Sequence, residues 1–347
     1  MTHPQYLDTL GLWEATAGLP EQMEVARATS AAVLADARLP DPGDIHAVAV
    51  LGVGAGGQAG DAAAAYGAGH SSVPIVVAKG YEVPAFVDAH TLVFAVSASG
   101  DAEETRSAAE AALGQGAPVV VVAGGGALGS LAQSEGLPNF SVPGDLPVGR
   151  ASLGALTVPL LMTLAHLGIV PDVDGSLSAA EGGLHRRRDA LMAATGPAEE
   201  VARLIGRTIP LVYGSTGLSS VAAERWKTQV NENAKTPAFF AEQPDLSHNE
   251  VAGWGQHGDV TRQVLSLITL RHAGEHPRVT RRFALVIAAT DEVMANVIPV
   301  WAEGDDDLGR FFDLAFFGDF VSLHLAGREG IDPGPEPAVG DVRAGLS

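Results

Sequence analysis

From residue 45 onward the chain alternates short, unbroken apolar runs with Ala-rich stretches whose apolar residues recur at helical spacing. The runs at 47–53, 74–78, 92–96 and 118–123 are rich in valine and show no polar alternation, and a shorter stretch at 139–142 follows them. Such runs predict strands covered on both faces, as in a parallel sheet with helices on either side. The first forty residues have helical spacing at 8–13 and 21–26, interrupted by Gly18, Leu19 and Pro20, and are expected to pack on the domain that follows. After the stretch at 139–142 come a Leu- and Ala-rich helix at 151–167, a linker at 172–178 and a helix from about 180 to 205 carrying Arg186, Arg187 and Arg188. A strand at 211–214, a glycine turn and a helix at 221–233 then repeat the earlier order, with further strands at 238–240, 264–270 and 297–301. The expected fold class is α/β, with two tandem doubly wound domains, 1–172 and 173–347, the second ending in a helix and tail.

Composition narrows the function. With 347 residues, 46% hydrophobic and 18% charged, the chain is long enough for two buried cores. A formal net charge of -20 argues against a nucleic-acid or anionic-membrane partner, both of which need clustered lysine and arginine. Any phosphate must be held locally by amides, hydroxyls and a few arginines. The absence of cysteine excludes disulfides, thiolate metal sites and a cysteine nucleophile. No apolar run approaches the roughly 18–20 residues of a membrane span and the first residues are not a signal peptide, so a cytoplasmic protein is expected.

The densest polar chemistry lies at 225–250, where Glu232 stands between two asparagines and His248 follows sixteen residues later. On a helix, Thr228, Asn231, Glu232 and Lys235 form one stripe facing either water or a site. Pro237 stops the helix. A carboxylate and an imidazole suit a reaction that moves one proton between carbons and another at an oxygen. Gly52, Gly54 and Gly57 satisfy the dinucleotide fingerprint, but the second strand ends in Ala78, Lys79 and Gly80, with no acidic residue for a ribose. The turn at 97–105 places the Ser97 and Ser99 hydroxyls where open α/β sheets bind ligands, although Ser99 or Asp101 also reads as a plain helix cap. His272 to His276 spell H-x-x-E-H, but Gly274 and Pro277 predict a loop there and not a zinc helix, and no metal is expected. The arginines at 186–188 read as a solvated helix face or an inter-domain pairing.

Three stretches together, 52–61, 97–105 and 225–235 with 247–250, resemble the bifunctional phosphoglucose/phosphomannose isomerases, dimers with two sugar isomerase (SIS) domains. The resemblance covers nearly the whole chain, including 319–326 and 330–333. It implies interconversion of glucose 6-phosphate, and mannose 6-phosphate, with fructose 6-phosphate through a cis-enediol, without metal or organic cofactor. Glu232 falls on the family's base, which carries a proton between C2 and C1. His248 falls on the ring-opening histidine, contributed across a homodimer interface, and Arg150 on the arginine that stabilises the enediolate. Gly54, Gly56, Ser97 and Ser99 fall on the phosphate-binding turns, and Arg343 on an active-site lysine. The chain departs from the pattern at Gly56 (serine in the family), Ala102 (threonine), Gly334 (threonine) and Arg343. These departures keep open the alternative of a non-catalytic or divergent sugar-phosphate-binding protein.

Overall fold

The computed structural model describes residues 6–346. The chain divides into two compact units, one formed by Gly18–Gly182 and the other by Met1–Ala17 with Gly183–Ser347. The two leading helices, α1 (Leu12–Ala17) and α2 (Leu19–Asp36), therefore belong to different units.

The first unit continues with β1 (Ala47–Leu51), α3 (Ala55–Gly67), β2 (Ile75–Ala78), β3 (Thr91–Ser97), α4 (Glu103–Gly114), β4 (Val119–Ala123), α5 (Gly126–Glu135), β5 (Asn139–Ser141) and α6 (Leu153–His166). Its five strands lie in the order β2-β1-β3-β4-β5, all parallel. β1, β3 and β4 are buried along their whole length, as their unbroken apolar runs demand. One face packs Ala49, Leu51, Val93, Ala95 and Val121 against Ala108 and Ala112 of α4 and Leu128 of α5. Across the other, Gly60 of α3 sits so close to Val50 and Val77 that a Cβ would lie 2.8 Å from a Val50 methyl. α2 is bolted to the start of α6 by the Gln22 amide, which donates to Ala151 O at 2.9 Å and accepts from Ala155 N at 2.9 Å.

The linker expected at 172–178 is instead the start of α7 (Asp174–Met192). Asp172 accepts a hydrogen bond from Asp174 N at 3.1 Å, so the Asp- and Gly-rich composition that suggested a loop is helix-capping chemistry. Val173 and Leu177 are fully buried, and Arg27 bridges Asp174 and Glu181 at 2.9 and 3.0 Å. The helix also ends earlier than expected, with Gly196 and Pro197 starting α8 (Pro197–Ile205).

The second unit contains β6 (Ile209–Ser215), α9 (Leu218–Asn233), β7 (Phe239–Gln243), α10 (Gly258–Val264), β8 (Leu265–Arg271), α11 (Pro277–Thr290), β9 (Asn296–Trp301), α12 (Asp307–Arg328) and α13 (Pro337–Ala344). Its sheet has the order β7-β6-β8-β9, again parallel. This repeats the first four positions of the other sheet. α12 is buried without a break from Phe311 to Ala326, and that stretch includes two carboxylates, Asp313 and Asp319. No helix among the described residues is long and apolar enough to cross a membrane.

The leading segment does not pack on the domain that follows it. Trp13, 2% exposed, lies with its ring 5.8 Å from Phe320 and 4.8 Å from His324 of α12, and Thr9 donates to Asp332 at 2.6 Å. Only α2 behaves as expected, because its apolar stripe matches α6 whereas that of α1 matches α12. Arg187 is likewise neither solvated nor paired between the two units. Its guanidinium donates to Asp313, lies 3.3 Å from Glu303 and sits over the Phe317 ring at 5.0 Å, all in the second unit. Burial pushes the Asp313 carboxyl up to about 6 while Arg187 pulls it down.

Candidate functional site

Strand order reverses between β1 and β3 in the first sheet, and a crevice at the carboxyl ends of those strands is where open α/β folds hold ligands. Two turns form it. The first runs from Gly52 to Gly54, whose φ of 54° and ψ of -125° is a conformation that glycine adopts without strain. The second runs from Ser97 to Ala102.

The turns are pressed together. A Cβ on Gly56 would lie 2.2 Å from Val96 O, and one on Gly52 would lie 3.0 Å from the same atom. The first turn of α3 thus rests directly on the end of β3, and the glycine found where the resemblance expects serine is required by this contact. Gly56→Ser is expected to lose about 1–3 kcal/mol of stability through backbone displacement. Urea unfolding measures this, and a midpoint equal to wild type would show that the close approach is absent.

Ser97 is buried and its Oγ accepts from Gly100 N at 3.1 Å; the exposed Ser99 accepts from Asp101 N at 3.1 Å. Each hydroxyl uses a lone pair in these bonds, which leaves its hydrogen to donate to an anionic oxygen. Neither serine caps α4, nor does Asp101. Asp101 instead accepts from Ala127 N at 2.9 Å in the first turn of α5, a long-range cap that local spacing does not reveal. Arg150, 7% exposed, lies in a short turn immediately before α6, and a Cβ on neighbouring Gly149 would meet the Ala98 side chain at 3.3 Å. Gly54, Gly56, Ser97, Ser99 and the backbone around Arg150 therefore gather at one sheet edge. The dinucleotide reading fails on Lys79, which follows β2 and pairs with Asp61 of α3 at 2.5 Å where a ribose-binding carboxylate is needed.

The other expected residues belong to the second unit. Glu232 is half-buried in the last turn of α9, His248 is exposed at the end of a short turn, Asp245–His248, and Arg343 is exposed on α13. Glu232, Thr228 and Asn231 share the half-buried face of α9, but Lys235 has left the helix. Its φ is 53°, and its ammonium donates to the Glu232 carbonyl and, at 3.2 Å, to Pro333 O. The C-terminal tail is thereby tied to the end of the helix carrying Glu232. A Cβ on Gly334 would lie 2.7 Å from Leu10 Cγ, so the missing threonine there also reflects packing.

A second polar stripe on α9 went unread in the sequence. Arg225, Gln229 and Asn233, spaced by four, are all buried against α12. Arg225 donates to both carboxylate oxygens of Asp319, at 2.9 and 2.7 Å, Gln229 donates to Asp319 at 2.9 Å, and Asn233 donates to Ser322 Oγ at 2.8 Å. The signal was the i, i+4, i+8 spacing together with an aspartate in an apolar helix. This ladder holds the back of α9 while its other face carries Glu232.

The matching crevice in the second sheet, between β6 and β8, is filled by its own side chains. Glu275, whose side chain is 1% exposed, accepts from Arg271 Nε and Nη2 at 2.7 Å each, from His272 N at 3.1 Å and from Thr280 Oγ1 at 3.0 Å. Burial works to raise its pKa, but Arg271 and the other donors outweigh it and hold the carboxyl below its ordinary range. Ser215 Oγ and His272 Nε2 are 2.9 Å apart, and burial lowers the His272 pKa. The H-x-x-E-H segment is a loop, and its glutamate is committed to Arg271. No group of residues able to hold a metal occurs among the described residues. An open cleft of about 380 Å³ beside β7 is lined by Glu242, Asp245 and Glu250, a charge unsuited to a phosphate.

Comparison with known proteins agrees with this architecture. Residues 194–346 match the family described as the bacterial phospho-glucose isomerase C-terminal SIS domain. The bifunctional phosphoglucose/phosphomannose isomerase of Caldicellulosiruptor bescii is 30% identical over 328 residues, covering 93% of this chain and 95% of that one. Its counterpart from Aquifex aeolicus is 35% identical over 274 residues, 79% and 81% of the two chains. Among solved structures, the tagatose-6-phosphate ketose/aldose isomerase of Escherichia coli superposes with a TM-score of 0.68 at 16% identity, over 93% of this chain and 95% of that chain, a likeness of fold alone.

Proposed function

Since the chain belongs to the bifunctional phosphoglucose/phosphomannose isomerase family, we propose that it interconverts glucose 6-phosphate, and mannose 6-phosphate, with fructose 6-phosphate in the cytoplasm, as a homodimer and without a cofactor. The observation that carries this reading is the crevice between β1 and β3, where the Ser97 and Ser99 hydroxyls stand beside the Gly52–Gly56 turn and can donate to a phosphate although serine is absent at 56. The amides of Gly56, Gly57 and Gln58 are bonded to the Val53 and Gly54 carbonyls, so what the start of α3 adds is the positive end of its helix dipole.

In the chemistry, His248 of a second copy moves a proton between the ring oxygen and the C1 hydroxyl and opens the sugar. By the resemblance, the Glu232 carboxylate takes the C2 proton of the aldose and returns it to C1, and the Arg150 guanidinium has the role of stabilising the negative charge of the intervening enediolate. Arg343 supplies a further positive charge toward the substrate. Protonation of either face at C2 on the return path yields the glucose or the mannose epimer.

Coupled assays of fructose 6-phosphate turnover, one reading glucose 6-phosphate and the other mannose 6-phosphate, test the proposal. Both products are expected from the purified chain. A protein that binds fructose 6-phosphate, seen as a rise in melting temperature, yet forms neither product is a binding protein instead.

A further inference from the structure

The segment carrying His248 holds little regular structure, yet it is anchored on both sides. Ahead of the histidine, Leu246 is 2% exposed and packs with Tyr213 and Phe283, and Ser247 donates to the buried Gln243 at 2.6 Å. Behind it, Asn249 accepts from Glu250 N and donates to Asp245 at 3.2 Å. The strongest tether comes next. Tyr213, fully buried in the middle of β6, donates its hydroxyl to Glu250 Oε1 at 2.5 Å and accepts from Trp254 Nε1 at 3.2 Å. One phenol thus joins a central strand to residues two and six positions after the histidine, while His248 stays exposed.

From this geometry we infer that the Tyr213–Glu250 hydrogen bond positions His248, setting where the imidazole projects toward substrate. The inference rests on the assignment of ring opening to His248. Neither Tyr213 nor Glu250 needs to touch substrate: the bond closes a short loop around the histidine and limits the backbone orientations it samples. Burial, followed by the hydrogen bond to Glu250, pushes the Tyr213 phenol up, so it remains a donor across the working pH range. A misplacement of an ångström at a reacting group is enough to cost on the order of a hundredfold in rate.

The experiment compares Tyr213→Phe, Glu250→Ala, Glu250→Gln and His248→Asn in the full-length chain, measuring kcat and KM for fructose 6-phosphate together with the melting temperature. Tyr213→Phe and Glu250→Ala are expected to lower kcat by about tenfold or more, within the loss that misplacement produces, with KM little changed. Glu250→Gln keeps an acceptor for the phenol and recovers most of that loss, which a role for the negative charge would not allow. Combined with His248→Asn, Tyr213→Phe adds no further loss, since the residue it positions is gone. Wild-type kcat in both Tyr213→Phe and Glu250→Ala, or a loss of equal size in the His248→Asn background, overturns the inference. Failure of the underlying assignment looks different: His248→Asn alone then turns over like wild type.

Discussion

Replacing Glu232 by glutamine is expected to lower kcat for fructose 6-phosphate by about 10³-fold, the scale on which a positioned general base contributes, with KM changed little. Glutamine matches the shape and polarity of the side chain but does not accept a proton, so the variant removes only the transfer between C2 and C1. The substitution leaves the anchoring of α9 intact, because Arg225, Gln229 and Asn233 hold the helix from its buried face. A fall in kcat without a matching rise in KM separates loss of chemistry from loss of binding. Exchange of the transferred hydrogen with solvent deuterium, at C1 of fructose 6-phosphate or at C2 of glucose 6-phosphate, is expected to fall in step. Wild-type kcat and exchange in Glu232→Gln would remove Glu232 from the reaction.

Asp319→Ala carries the largest expected cost in stability. Arg225 and Asp319 form a bidentate pair with side chains only 3% and 6% exposed, and Asp319 also accepts from Gln229. Truncating the aspartate leaves a guanidinium buried without its counter-charge, which costs about 3–5 kcal/mol. For a unit of this size that corresponds to a drop on the order of 10 °C in melting temperature. Removing both charges is milder, because apolar groups of similar volume replace a buried pair at small cost. Arg225→Met with Asp319→Leu is therefore expected to recover most of the loss. If Asp319→Ala melts with wild type, or the double replacement is as damaged as the single, the buried pair does not hold α9 on α12.

Much of the architecture was legible along the chain, and the reason differs from element to element. The strands of the first sheet announced themselves because burial on both faces leaves only apolar residues at the centres of β1, β3 and β4. The loop character of the H-x-x-E-H segment followed from Gly274 and Pro277. The aspartate-rich start of α7 was not legible: at 172–178 the same residue types serve loops and helix starts, and burial of Val173 and Leu177 decided the matter. The three arginines of α7 illustrate the same limit. They are neighbours in sequence with different surroundings, Arg186 in solvent and Arg187 held by Asp313, a partner 126 positions away.

What the order of residues settled was chiefly local: the alternation of strand and helix, the glycine turns, and which residue types stand at positions 97, 150, 232 and 248. Folding in three dimensions decided which of those residues share a sheet edge, why positions 56 and 334 admit no side chain, and that α1 joins the C-terminal unit. The physical reason is range. Backbone preferences act over a few neighbouring residues, whereas close contacts such as Gly56 on Val96 O, or Arg225 on Asp319, join positions far apart in the chain that only the packed sheet and helices bring within reach.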